Sequence, residues 1–518
     1  MGGSVDAVVV GAGHNGLVAA NLLADAGWDV LVLEQEADFG GAVRSAELFE
    51  GFQSDLFSAN HPLALVSPVL RGLALADHGL RWAHAPTVLA SARTPNDGVG
   101  LYPDPQRTAD ELGRHHPDDA RAWLELLAQW RRLRDPLLEA GFGGPHPIRQ
   151  TLRLVRDMGI PELTRLARFL TLPADTMARE LFRSEHARLL LLGNCGHGDL
   201  AVNVPLSGAT GWLLTMLAQD SGFPCPVGGA SGLTDALVAR ARAGGVELRS
   251  GIEVSGLDVR NGRVVAVRTA AGETITVRRA VIANAPAPTL YGRLLPADVV
   301  PQRVREDLRR FEPDSAVVKV NYAVSQSIPW NSPELHGAGT VHLGADRHGM
   351  IRWGAELACG AVPSQPFMLF GQMTTCDPTR SPAGTESAWA YTLMPRGVTD
   401  DTAAELLAKN IDAVIEDHAP GFANALIGRK VQRPSDMTSI GTRIGGTMAL
   451  HQQLVFRPIP GLGGPETFVR GLYLGSSAAH PGAAVHGACG AFAARAALHR
   501  NGIRGRARRR LHAAITGR

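Results

Sequence analysis

Near the amino terminus the apolar residues change period twice. Ala7–Val10 is a continuous apolar run of strand length, Leu17, Ala20, Leu22 and Leu23 follow at helical spacing as far as Gly27, and Val30–Leu33 is a second continuous run ending at Glu34. The pattern predicts a strand, a glycine turn, a helix and a second strand. Further on, "DARAWLELLAQWRRLRDPLLEAG" and "PIRQTLRLVRDMGIPELTRLARFL" place apolar residues three and four apart, so residues from about 81 to 173 read as helical. A helix over 233–243 and strands over 246–248, 252–259, 264–269, 274–277 and 280–283 come next, with a hairpin at Asn261-Gly262 expected to form a small flap. "SAVVKVNYAV" and "SAWAYTLMP" read as strands and 402–418 as a helix. The segment "GLYLGSSAAHPGAAVHGACGAFAARAALHR" closes the chain's patterned part with a strand, a small-residue loop and an alanine-rich helix.

These elements predict an α/β protein in which a Rossmann-type dinucleotide-binding domain is interleaved with an α+β substrate-binding domain. Residues 1–75, 222–298 and 442–500 are assigned to the first domain and 76–221 and 299–441 to the second, leaving a basic tail over 501–518. The length of 518 residues fits two domains. With 45% hydrophobic and 19% charged residues, burial is not limiting, and a net charge of +2 gives no support for a nucleic-acid partner.

The five cysteines, Cys195, Cys225, Cys359, Cys376 and Cys489, form no C-x-x-C pair, which argues against a zinc cluster, a redox-active disulfide and any other metal site, and for a reducing compartment. No leader and no apolar run near the roughly 20 residues of a membrane span are found, so a cytoplasmic location is expected. The arginine-bearing amphipathic helices are compatible with peripheral membrane contact, although packing of their apolar faces on the core is the favoured reading.

Candidate chemistry starts at the first turn, Gly11-x-Gly13-x-x-Gly16. Gly11 permits the tight turn, Gly13 lets backbone approach a pyrophosphate, and Gly16 lets the helix pack on the strand. The helix amino terminus offers unpaired N–H groups to phosphate, and Glu34 is placed to bind ribose hydroxyls. The continuation "ADFGGAVRSAEL", with Gly40, Gly41, Ala42 and Arg44, favours FAD over a nicotinamide dinucleotide. His14, Asn15, Gln35, Val254 and Ala283 complete the expected cofactor contacts. No second GxGxxG follows a strand, so the organic substrate itself is expected to reduce the flavin.

Taken in order, "VVVGAGHNGLVAANLLADAG", "GGAVRS", "GFPCPVGGASGL", "CDPTRSPAG", "RPIPGLGG" and "LYLGSSAAHPGAAVHGACG" resemble the phytoene desaturase-like branch of the FAD-dependent amine oxidase superfamily. The nearest set is the pyridine nucleotide-disulfide oxidoreductase domain-containing protein two group. The resemblance implies noncovalent FAD and a carboxy-terminal flavin motif on Gly475, Ser476, His480, Pro481, Gly482, Ala484, Val485 and Gly487. Ser476 stands where many relatives carry an acidic residue for the ribityl chain.

The resemblance also implies dehydrogenation of a largely apolar small molecule, with O2 or a quinone as electron acceptor. Proton-acceptor candidates are His480 and His61, with His197 and His486 behind them, and Lys319 is the further catalytic candidate, as a lysine that hydrogen-bonds a flavin-side water in related amine oxidases. Flavin amine oxidation and polyene isomerisation are the enzymatic alternatives. Amine oxidation is disfavoured because 474–491 carries no aromatic ring. A flavin-free binding protein like the GDP-dissociation inhibitors is the non-enzymatic one.

Overall fold

The computed structural model describes residues 3–142, 148–438 and 445–499; the basic tail and the expected boundary near 441 lie outside them. Two seven-stranded sheets organise the described chain. In the first, Ser4–Val10 lies between Val30–Leu33 and Thr274–Ala283, both parallel to it; Glu247–Arg249 extends the sheet beyond Val30–Leu33, and Leu472–Leu474 adds in parallel to Thr274–Ala283.

The side chains of these strands alternate between two cores. Ala7, Val9, Val30, Val32, Ala280 and Ile282 pack with the helices His14–Asp25, Ser231–Ala243 and Ala488–Leu498. Val8, Val10, Leu31, Leu33 and Val281 face Leu257, Val267 and Leu290 on the other side. Both faces being covered is why the sequence shows unbroken apolar runs there instead of alternation.

The expected flap is not separate. Val254–Arg260 and Arg263–Thr269 continue the same sheet antiparallel through Thr274–Ala283, which is one strand where two were expected. Asn261 and Gly262, at φ 50° and 69°, supply the left-handed turn that joins the hairpin.

The second sheet runs in the order Leu426–Gln432, Ala316–Val324, Glu386–Met394, Met368–Gln372, Ala338–Leu343, Thr87–Thr94 and Asp97–Leu101. The last two strands correct the helical reading of 81 onward. "TVLASART" is buried from Thr87 to Ala92, so it shows no alternation, and the turn after Thr94 is short; helix begins only at Pro105. One face of the sheet packs on the helices, where Trp123, Leu126, Leu127, Trp130 and Leu133 of Pro117–Gly141 point inward. The apolar face of that helix therefore belongs to the core. Helix Asp401–His418 covers the other face. Among the described residues no helix is long and apolar enough to cross a membrane.

Two small two-stranded sheets, of which only the first is a hairpin, join the large ones. Ser45–Phe49 pairs with Phe52–Asp55, and Trp82–Ala83 pairs with Cys225–Pro226. The carbonyl of Gln53 accepts from Arg380 and Ser387 of the second sheet region, and the ring of Phe49 occupies the place a Cβ on Gly428 would need.

Candidate functional site

Two glycine turns face each other at the carboxyl end of the first sheet. The helix His14–Asp25 starts after Gly13 without a side-chain cap, which leaves its first N–H groups to an external acceptor. The N–H of Gly40 donates to the Ala12 carbonyl at 2.9 Å, and a Cβ on Gly41 would lie 3.1 Å from the Gly13 Cα. Asn284, which the sequence reading missed, fills the space beneath: its Nδ2 donates to the Gly11 carbonyl at 3.3 Å and would lie 2.9 Å from a Gly13 Cβ. Gly13 is therefore fixed by the protein as well as by any phosphate above it.

Glu34 is buried, with Oε2 accepting from the Ala12 N–H at 2.7 Å and Oε1 from the Glu36 N–H at 3.0 Å. Each carboxylate oxygen keeps capacity for a ribose hydroxyl. The Ile252 N–H donates to the Glu34 carbonyl, which brings the chain entering Val254 alongside; Gln35 is exposed. Arg44 is 9% exposed, donates through Nε to the Gly41 carbonyl and lies 5.7 Å from the Phe57 ring, so it is an inward residue of the turn and not a surface arginine. Asn15 lies against Gly490, whose Cβ, were there one, would come within 1.8 Å of the Asn15 carbonyl.

The carboxy-terminal segment docks on this turn through the Gly475 N–H, which donates to Ala283 at 2.9 Å. The hydroxyl of Ser476 accepts from the Ala478 N–H, so it is used inside its own turn. In a mostly buried stretch, Ala483 and Ala484 are exposed, and Ala484 sits at φ 92°, a left-handed conformation costly for alanine. Such strain marks a backbone held for contact. The guanidinium of the buried Arg457 props Gly482 from behind by donating to the carbonyls of Ser477, Thr447, Gly445 and Gly446. Gly487 turns the chain into the last helix, Nδ1 of His486 caps it by accepting from the Ala488 N–H, and the ring of His480 runs parallel to that of Phe492.

Chemistry-bearing side chains collect where the two sheets meet. Lys319 is fully buried; its Nζ donates to the carbonyls of Asp55 at 2.5 Å and Phe57 at 3.2 Å and lies 5.4 Å from the Trp389 ring. Burial pushes its ammonium down to about 8, with Asp55 pulling up and Arg380 down. The Asp55 carboxylate is itself buried, which would raise it, but Arg380 at 2.5 Å, the Ala230 N–H and the Ser45 hydroxyl hold it below its usual value.

His61 approaches the same point. The Ser58 hydroxyl gives its proton to the Ala42 carbonyl at 2.7 Å, so it accepts from His61 Nε2 at 3.1 Å. That leaves the lone pair on Nδ1, which is buried and has no partner among the described residues. Burial holds the ring near pKa 4 and therefore neutral. His14 is close enough to His61, His486 and the Ala484 backbone to feel all three; burial lowers it to about 3, and its Nε2 is likewise unpartnered among the described residues. His197 is engaged elsewhere, with His342 at 3.0 Å.

The chain therefore brings Gly11, Gly13, Gly40, Gly41, Glu34 and Ala484 to one side of the junction and His14, His61 and Lys319 into it. Sequence reasoning missed Asp55, Arg380, Asn284 and Trp389; Arg380 and Trp389 lay in stretches already singled out, but no local pattern couples positions so far apart. Nor did cysteine spacing show that the free thiols of Cys225 and Cys376 lie together, with Sγ–Sγ at 3.0 Å. The residues fit a flavin dinucleotide. Cβ-free faces and an uncapped helix suit its phosphates, an acid suits its ribose, and strained, exposed backbone with unpartnered imidazole nitrogens suits its ring.

The comparisons agree with this geometry. The profile described as NAD(P)-binding Rossmann-like domain matches residues 9–87, and that of flavin containing amine oxidoreductase matches residues 102–354. The chain is 28% identical to the rat pyridine nucleotide-disulfide oxidoreductase domain-containing protein 2 over 94% of its own length and 92% of that protein's. It is 26% identical to a zeta-carotene-forming phytoene desaturase of Myxococcus xanthus, over 75% of this chain and 71% of the other. A redesigned putrescine oxidase superposes at a TM-score of 0.61, with 16% identity over 96% and 98% of the two chains, which shows the shared fold. Over residues 102–354 the chain is thus similar to the flavin containing amine oxidoreductases, and over nearly its whole length to the rat protein.

Proposed function

We propose that the protein is an FAD-dependent dehydrogenase that introduces a double bond into a largely apolar organic substrate, with FAD held noncovalently and O2 or a quinone as the final acceptor. The observation that carries this reading is the His61 Nδ1, unpartnered among the described residues, on the ring that Ser58 holds beside the dinucleotide turn, at the end of the loop whose Asp55 and Phe57 carbonyls Lys319 binds. The flavin supplies a hydride acceptor when bound. The protein's part is to position the reacting C–H bond about 3–3.5 Å from that acceptor, to exclude water and to receive the proton.

His61 suits the last task, because its Nε2–H is committed to Ser58 and its neutral ring presents Nδ1. Lys319 orients the 55–57 loop that leads to His61. The strand face around Lys319 carries Val317, Tyr391 and Leu393 in register, an apolar wall suited to hydrocarbon. The M. xanthus relative named as a desaturase supports the same reaction class.

Amine oxidation is the second reading, and one observation favours it: Trp389 and Tyr391 stack with centroids 5.7 Å apart next to Lys319, an aromatic surface that suits an amine.

The test begins with colour. Purified protein is expected to show a flavin absorbance band, at least after incubation with FAD, that acid releases as free FAD. Absence of the band after reconstitution would return the protein to the flavin-free binding class. Anaerobic bleaching by apolar alkenes is expected, and His61→Gln should slow it about 100-fold or more with little change in binding. Bleaching by amines alone would replace the first reading with the second.

A further inference from the structure

Cys225 and Cys376 are 151 residues apart in sequence, and their sulfurs are 3.0 Å apart in a buried place between the two sheets. Each is on a short element that the fold fixes. Cys225 belongs to the two-residue strand paired with Trp82–Ala83, and Cys376 ends the turn of helix Met373–Cys376. The two segments are bound together beside the sulfurs as well. The Gly228 N–H donates to Asp377 at 2.7 Å, and the Cys376 thiol contacts the Ala83 carbonyl at 3.6 Å. A disulfide needs its sulfurs at about 2.05 Å, so closure brings the two sulfurs roughly 1 Å nearer. The other cysteines do not share this arrangement. Cys195 and Cys489 point at carbonyl oxygens, and Cys359 is exposed.

We propose that Cys225 and Cys376 are a site of reversible oxidation, a dithiol that a hydroperoxide converts to a disulfide across the junction beside the candidate flavin site. The Cys376 sulfur attacks one peroxide oxygen, the O–O bond breaks, and a sulfenic acid and one water (or alcohol) result. The Cys225 sulfur then attacks the Cys376 sulfur; the S–S bond forms and hydroxyl leaves as water with the Cys225 proton. Two electrons pass from the thiols to the peroxide, and any external dithiol reverses the change. The surroundings favour this order. The hydrogen bond from Cys225, and the positive charge of Arg380, hold the Cys376 thiol below its usual value against burial, while the Cys225 thiol is raised.

The link would tie together the segments that support the reactive side chains. The Pro224 carbonyl, next to Cys225, accepts the backbone N–H of His61 at 2.8 Å, and the turn after Cys376 carries Arg380, the partner of Asp55. Oxidation therefore stiffens the loop holding His61 relative to the sheet holding Lys319, whatever substrate the site takes.

The experiment uses the full-length protein, treated at neutral pH with hydrogen peroxide or with dithiothreitol, alkylated after denaturation and digested without reduction. After peroxide, mass spectrometry is expected to show the peptides of Cys225 and Cys376 joined, lighter than their sum by two hydrogens, with thermal unfolding shifted upward; dithiothreitol reverses both. Alkylated Cys225 and Cys376 recovered from peroxide-treated protein would overturn the proposal. So would Cys376 found only as sulfinic or sulfonic acid, or Cys225 linked to another cysteine. In Cys225→Ala and Cys376→Ala, peroxide should no longer raise the unfolding temperature; a persisting rise overturns the assignment even if the linked peptide is seen.

Discussion

Replacing Lys319 by methionine separates what this residue costs the fold from what it does at the site. Its ammonium titrates near 8 instead of 10.5 because it is wholly buried, so holding it charged at pH 7 costs about 3 kcal/mol relative to the unfolded chain. Methionine matches the length of the side chain and carries no charge. It also leaves the Asp55 and Phe57 carbonyls without their donor, which gives back about 1–3 kcal/mol. Lys319→Met is therefore expected to be about as stable as the wild type at pH 7, or slightly more stable.

The pH dependence gives the sharper result. Between about 8 and 10.5 the unfolded wild type binds the proton and the folded protein does not, so wild-type stability rises with pH across that window relative to the variant. Urea unfolding of both proteins at pH 7, 8, 9 and 10 measures the difference. The variant should meanwhile lose flavin reduction by substrate. A variant several kcal/mol less stable at pH 7, with a difference from wild type that does not change with pH, would refute the buried-charge reasoning.

Arg380→Met leaves the buried Asp55 carboxylate with only Ser45 and Ala230 as direct partners, and chemical denaturation should show a loss of about 3–5 kcal/mol; in a double variant with Asp55→Leu, much of that loss should return. Gly490→Ala forces a methyl group into the Asn15 carbonyl where the last helix crosses the first, and thermal unfolding should reveal destabilisation of about 1–3 kcal/mol with flavin content falling in step. Gly13→Val must displace Asn284 and close the approach to the helix amino terminus, so the purified variant should bind no measurable flavin while its far-ultraviolet circular dichroism stays near wild type.

The first sheet was legible because each of its central strands is buried on both faces and is bounded by a glycine turn or an acid. Ala7–Val10 and Val30–Leu33 were visible as runs, and the strands at 247–249 and 472–474, assigned to the same domain, join them in a parallel array. The same property misled the reading at Thr87–Ala92, where an unbroken buried stretch with serine, alanine and threonine shows neither period and was absorbed into the neighbouring helices. Of the candidate site, the glycines and Glu34 were legible from spacing. Asp55 and Arg380 were not, since an ion pair closed over 325 residues leaves no local trace.

Lys319 stood out only as a charge in a strand, and its meaning comes from what surrounds it. An ammonium at that depth is tolerable because two carbonyls of the 55–57 loop take its protons, and those carbonyls are held in place because Asp55 is anchored by Arg380 from the second sheet and by Ala230 from the first. The loop then runs through Ser58, whose hydroxyl fixes the tautomer of His61. A single buried carboxylate thus sets the positions of the cation and of the proton acceptor together, and it does so from the seam where the sheets meet. A mutation at Asp55 should accordingly disturb Lys319 and His61 in one step, whereas a change at His480, which rests on the last helix, should leave both untouched.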